Sequence, residues 1–133
     1  MGSKSNYLEN AILDHILGGG DFVRPANVYV ALYTVAPTDA GGGTECTGGS
    51  YARAVVANNP TNWPAAVAGA KSNGTEIAFP TASASWGTVV AFSIMDNAVA
   101  GNMLYSGDVT PSKAVDLGDT PKWAVGDLDI TED

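Results

Sequence analysis

The sequence predicts a mainly β fold, an antiparallel jelly-roll-like β-sandwich that carries one N-terminal α-helix. The 133 residues include 16 glycines and 7 prolines, which favours many turns and short strands. Hydrophobic residues make up 45% and charged residues 15%, so the composition is globular rather than disordered. After Gly20, β-branched and aromatic runs alternate with turn signals. A chain of this length holds one core, so we expect a single β-sandwich domain over residues 1–133.

The helix is predicted over residues 5–17. Ser5 is a suitable N-cap, and Leu8, Ile12 and Ile16 follow at spacings of four on one face. Three glycines from position 18 onward end the helix, because glycine adopts the left-handed cap without steric cost. The helix is too apolar to stand free in water, so we expect it to pack on its own sheet or to dock on another chain.

Strands are predicted from about residue 27 onward. In the first, Val28, Val30 and Leu32 alternate onto one face. The segment Thr88–Met95 is nearly continuously apolar, which is typical of a strand buried on both faces. The predicted strands cover Val28–Thr34, Tyr51–Ala57, Glu76–Phe79, Thr88–Met95, Asn102–Val109, Lys113–Val115 and Lys122–Thr131.

The sequence offers no catalytic, metal or cofactor site, so we expect a protein that is not an enzyme. His15 is the single histidine and lies among apolar helix residues, which favours a structural role. Cys46 stands beside an acid rather than in the electropositive setting of a reactive thiol. One cysteine and one histidine cannot complete a zinc site, and the acidic end Asp127–Asp133 lacks the pattern of an EF-hand loop.

The charge distribution excludes several classes of partner. The net charge is −8, and the six Lys and Arg residues are scattered, so neither nucleic acid nor an anionic membrane surface is an expected partner. The longest apolar run, Val89–Met95, is too short to span a bilayer. The start of the chain lacks a secretory signal, from which we expect synthesis in a reducing cytoplasm.

Several blocks of the sequence, taken in order, resemble a group of small tailed-bacteriophage virion proteins. Those proteins are labelled as capsid decoration, minor structural or tail-fibre proteins, and the likeness extends to about Val125. It implies a rigid, symmetric, non-enzymatic β module and brings no catalytic residues with it. The blocks are Ser5–Asn10, Leu13–His15, Val28–Thr34, Ala36–Asp39, Gly48–Arg53, Ser72–Gly74, Phe79–Ala82 and Ala84–Val89.

From this resemblance we expect a capsid decoration (cement) protein, because the chain has no long repeat or coiled-coil shaft of the kind that fibres carry. It would be a dimer or trimer that binds the major capsid protein on the capsid exterior of the virion and stabilises it. The alternative is a tail- or head-fibre adaptor or receptor-binding module that grips a surface polysaccharide. In that case four aromatic residues could form the sugar-stacking surface, namely Tyr51, Trp63, Trp86 and Trp123. A small hydrolase that uses His15 is a third and weaker alternative.

Contacts with other chains are expected at the helix and at the long loop Thr38–Ser50. Two leucines widen the apolar face of the helix beyond what one core contact requires. The loop is long and glycine-rich, so we expect it to become ordered on binding. The candidate interface residues are Leu13, Leu17, Thr38, Gly42, Glu45, Tyr51 and Trp63.

Overall fold

The fold is mainly β with one helix, in a computed structural model that describes residues 2–132. Helix α1 spans Asn6–Ile16, with Ser5 at its N-cap and Leu17 at its C-cap, which confirms the predicted helix. The described residues form ten strands: β1 (Gly2–Lys4), β2 (Asn27–Val35), β3 (Thr44–Glu45), β4 (Ala54–Ala57), β5 (Ala70–Ser72), β6 (Ile77–Ala78), β7 (Gly87–Met95), β8 (Met103–Val115), β9 (Lys122–Trp123) and β10 (Asp129–Thr131).

The strands form one large sheet and one small one. The large sheet has the order β3-β2-β7-β8-β1-β10-β5, and β4 also pairs with β2. The small sheet pairs β6 with β9. Ladders are antiparallel except between β1 and β10, which run parallel. The mainly β, sandwich-like fold is therefore confirmed, and this strand order is compatible with a jelly-roll-like arrangement.

Strand β7 lies at the centre of the large sheet, between β2 and β8, and is buried on both faces as predicted. Phe92 and Ile94 point into the larger core cluster, whereas Ala91 and Met95 belong to a smaller cluster on the opposite face. Val90 also packs on the smaller cluster and is half-buried, because the ladder to β8 shifts register near this residue. Both faces of the sheet are thus covered at this strand.

Strand β2 confirms the predicted alternation. Val28, Val30 and Leu32 lie in the larger cluster, and Ala31 and Tyr33 lie in the smaller one. This strand pairs with β4 along its first half and with β3 near its end, while β7 occupies its other edge. It therefore anchors the loop that follows it.

Other strand boundaries differ from the prediction. The strand predicted from Tyr51 begins only at Ala54, where the ladder with β2 starts at Val30, because the Tyr51 N–H donates to the Gly48 carbonyl at 2.8 Å within the loop. The two strands predicted between residues 102 and 115 are one continuous strand, β8. The run Lys122–Thr131 divides into β9 and β10, which belong to different sheets, because Gly126 turns the chain at a φ of 82°.

The side chain of Asn73 holds this C-terminal turn in place. Asn73 is 2% exposed, and its amide nitrogen donates to the carbonyls of Thr75 at 2.8 Å and Ala124 at 2.9 Å. Its amide oxygen accepts the Leu128 N–H at 2.9 Å. The residue binds three backbone groups, of which the Leu128 N–H is buried and would otherwise lack a partner. It therefore joins the segment after β5 to the segment that leads into β10.

Candidate functional site

One end of helix α1 presents an apolar surface that the rest of the described chain leaves uncovered. At the start of the helix, the Ser5 hydroxyl accepts the Leu8 N–H at 3.2 Å, and Leu8 is buried. Toward the C-terminus, Leu13 is 58%, Ile16 69% and Leu17 76% exposed. Spacings of three and four residues place these side chains on one side of the helix. We call these three residues the helix patch.

The sheet covers only part of the apolar face of the helix. The spacing of four residues placed Leu8, Ile12 and Ile16 on one face, of which Leu8 is buried, Ile12 is half-buried and Ile16 is exposed. The helix contacts β8 and β1, with its Ser5 N–H bonded to the Leu104 carbonyl at 2.9 Å. It is therefore attached to the sheet through its N-terminal part, and the C-terminal turn extends beyond it.

Glu45, Tyr51 and Arg53 form a hydrogen-bonded cluster beside β2. Arg53 donates to both carboxylate oxygens of Glu45, from Nε at 2.9 Å and from Nη2 at 2.8 Å. The Tyr51 hydroxyl donates to Glu45 Oε2 at 2.7 Å and accepts the Leu32 N–H at 3.0 Å. Arg53 Nη1 also donates to two backbone carbonyls in the turn between β7 and β8, each at 2.8 Å. The cluster thus links Glu45, in the loop after β2, to Leu32 of β2 and to the turn between β7 and β8.

The ionisation of these groups follows from their packing. Burial alone would raise the pKa of Glu45, but the hydrogen bonds from Arg53 and Tyr51 outweigh it and hold that pKa below its usual value. The hydrogen bond to Glu45 raises the pKa of Arg53. Burial, followed by the hydrogen bond to Glu45, raises the pKa of Tyr51. At neutral pH the cluster is therefore a charged carboxylate and guanidinium pair with a neutral phenol.

A second set of contacts joins the segment around Gly49 to the segment around Trp86. The Trp86 indole donates to the Gly49 carbonyl at 2.9 Å, and its ring meets the Tyr51 ring edge-on with centroids 5.2 Å apart. Gly49 has a φ of 52°, and a Cβ there would lie 2.7 Å from the Ala84 carbonyl oxygen. These contacts join two blocks of the sequence that carry the phage resemblance, Gly48–Arg53 and Ala84–Val89.

The loop Thr38–Ser50, which we expect to become ordered on binding, forms hydrogen bonds with other parts of its own chain. Thr38 and Gly41 exchange backbone hydrogen bonds at 2.9 Å and 2.8 Å. Strand β3 within the loop pairs with β2, and the Cys46 N–H donates to the Leu32 carbonyl at 2.9 Å. Thr38 and Gly42 are exposed on its surface, whereas Glu45 and Tyr51 are partly buried in the cluster described above.

Trp63 lies inside the protein rather than on its surface. It is 8% exposed and lines an apolar cavity of about 320 Å³ next to helix α1. Its indole N–H has no hydrogen-bond partner among the described residues. An unsatisfied buried donor costs about 1–3 kcal/mol. The structure thus separates the candidate residues into four places: the helix patch, the exposed loop surface with Thr38 and Gly42, the cluster with Glu45 and Tyr51, and this cavity with Trp63.

The chemically reactive side chains do not converge. His15 accepts the Phe22 N–H at 3.2 Å, a structural contact near the end of the helix. Cys46 is buried, and burial raises the pKa of its thiol to about 11. Within residues 2–132, no group of three or more His, Cys, Asp or Glu residues is placed to hold a metal ion. Over the same residues, no helix is long and apolar enough to cross a membrane.

These features define a small β-rich protein with an exposed apolar helix end. Over residues 3–131 the chain matches the family described as Podophage GP4 fiber I protein gp80, and it belongs to that family. It is accordingly a small structural protein of tailed-phage virions, of the fibre type, which confirms the resemblance seen in the sequence. No curated protein is significantly similar to the chain.

Proposed function

We propose that the protein is a non-enzymatic fibre module of the phage virion and that it assembles as a homo-oligomer through the helix patch. The exposure of the patch is the observation that carries the proposal, and membership of a fibre-protein family supports it. The family description favours the fibre alternative over capsid decoration, since it names a fibre.

A second copy of the chain is the proposed occupant of the helix patch. Three large aliphatic side chains, each more than half exposed, stand together at the end of an 11-residue helix. Monomeric proteins seldom leave such apolar groups clustered in water, and identical helix faces can pack against each other around a symmetry axis. The low charged fraction of 15% also suits a chain whose surface is partly covered in an assembly.

The loop cluster and the aromatic residues support this proposal less directly. Glu45, Tyr51 and Arg53 bind one another, so the cluster fixes the shape of the loop surface. Trp63 and Trp86 are 8% and 4% exposed, which removes most of the surface that a sugar ring would stack on. Glycan binding through these aromatics is therefore not part of the proposal.

Sedimentation velocity tests the assembly through a matched pair of variants. The wild type should sediment as a dimer or trimer, and the double variant Leu13→Asp, Leu17→Asp should sediment as a folded monomer. Leu117→Asp is the control, because Leu117 is equally exposed, at 72%, but lies outside the helix. A monomeric wild type would contradict the proposed assembly, as would loss of the oligomer in the control alone.

A further inference from the structure

The cavity beside helix α1 has the form of a ligand site. Its volume of about 320 Å³ falls within the range of small-molecule pockets, and its lining is mainly apolar. Exposed residues such as Ala66 and Gly69 border it, so it can be reached from solvent. The side chains that form its interior include Leu8, Ile12, Phe22, Trp63, Leu104 and Ile130.

Two basic residues line this cavity, although the chain as a whole is acidic. The protein carries −8 with only six Lys and Arg residues, yet Arg24 and Lys71 both line the cavity. Among residues 2–132, neither is within ion-pair distance of a carboxylate, although Lys71 lies 3.5 Å from the Trp63 carbonyl oxygen. The carboxylate in the lining, Glu132, is paired with Lys4. Arg24 and Lys71 therefore lie beside the apolar cavity with no carboxylate partner among residues 2–132.

We propose that this cavity binds a free medium-chain carboxylic acid, with its hydrocarbon chain in the cavity and its carboxylate at Arg24 and Lys71. An apolar cavity favours a hydrocarbon, and the exposed Arg24 and the half-buried Lys71, which have no carboxylate partner among residues 2–132, can pair with an anion at its mouth. Since a methylene occupies about as much space as a water molecule, roughly 30 Å³, the cavity holds about ten carbons. This inference does not depend on the assembly proposed above.

Calorimetric titration of the purified full-length chain with hexanoate, octanoate and decanoate, each below its micelle concentration, tests the hydrocarbon part. Affinity should rise by about fourfold for each added methylene. Ile12→Trp, which fills the cavity, should weaken decanoate and decanol alike. Affinities that do not change with chain length would overturn the proposal, as would an Ile12→Trp variant that binds both ligands like the wild type.

The headgroup part is tested by the double variant Arg24→Gln, Lys71→Gln. It should bind decanoate at least tenfold more weakly and decanol unchanged. The control is Lys113→Gln, since Lys113 also lacks a carboxylate partner within residues 2–132 but lies outside this cavity. Equal losses in the control and the double variant would overturn the assignment. Binding to vesicles of anionic phospholipid without binding of monomeric decanoate would also overturn it, in favour of a membrane surface.

Discussion

Replacing Arg53 with methionine measures how strongly the cluster of Glu45, Tyr51 and Arg53 holds the loop after β2. Methionine keeps much of the aliphatic chain but removes four hydrogen bonds, two to Glu45 and two to backbone carbonyls. The side chain of Arg53 is 7% exposed and that of Glu45 is 25% exposed. Losing one partner of a buried ion pair lowers the free energy of unfolding by about 3–5 kcal/mol. Because water can partly screen Glu45, we expect Arg53→Met to lower it by about 2–3 kcal/mol.

Urea denaturation of a double-mutant cycle gives the coupling between the two side chains. The cycle uses Arg53→Met, Glu45→Gln and the double variant, and the coupling free energy should be about 1–2 kcal/mol. The control is Lys122→Met, because Lys122 and Glu76 lie 3.8 Å apart with both side chains more than half exposed. That change should cost less than about 0.5 kcal/mol. If Arg53→Met cost no more than Lys122→Met, the cluster would not hold the loop.

The same cluster predicts a pH dependence. The pKa of Glu45 is lowered in the folded protein, so the contribution of Glu45 to stability is fully present above the pKa that this residue has in the unfolded chain. That contribution should disappear as the pH falls through the lower folded-state value. The difference in unfolding free energy between the wild type and Glu45→Gln should therefore shrink as the pH is lowered below the ordinary range of a glutamate. A difference that grows on acidification would contradict the sign of this shift.

Three further substitutions test the core and the turn that Asn73 holds. Phe92→Ala should cost about 3–5 kcal/mol in the free energy of unfolding, because Phe92 is 1% exposed and packs edge-on against Trp123; Val90→Ala, at a half-buried position, should cost less than about 2 kcal/mol. Equal losses would refute the difference in burial between Phe92 and Val90. Asn73→Ala should cost about 2–3 kcal/mol, since it leaves the buried Leu128 N–H without its partner and removes the hydrogen bonds to the carbonyls of Thr75 and Ala124. A loss below about 0.5 kcal/mol would mean that Asn73 does not hold the turn.

The parts of the fold that could be predicted are those in which local pattern and burial agree. Ser5 caps the helix as expected, and Val28, Val30 and Leu32 lie on one face of β2. The apolar run at β7 indicates burial on both faces, and the structure shows it. In each case the hydrophobic period directly reflects which side chains are removed from water.

The missed features depend on contacts between residues far apart in the sequence. Gly2 has no strand signal, yet it pairs with Gly107 of β8 and with Ile130 of β10. Only a residue without a Cβ fits there, since a Cβ would lie 2.9 Å from Phe92 Cζ. The exposure of Ile16 depends on how little of the helix the sheet covers, which periodicity does not specify. The Arg53 hydrogen bonds join residues that are far apart in the sequence, and Arg24 and Lys71 meet at one cavity only in the folded chain. No local sequence pattern encodes either arrangement.

A density map of the virion, with this chain fitted and its copies counted, tests the central proposal most directly. We predict that copies lie in a fibre and that Leu13, Ile16 and Leu17 of one copy face the same residues of another. Copies spread over the capsid lattice would contradict the fibre role and favour decoration. Copies in a fibre with their helix patches open to solvent would contradict the proposed interface.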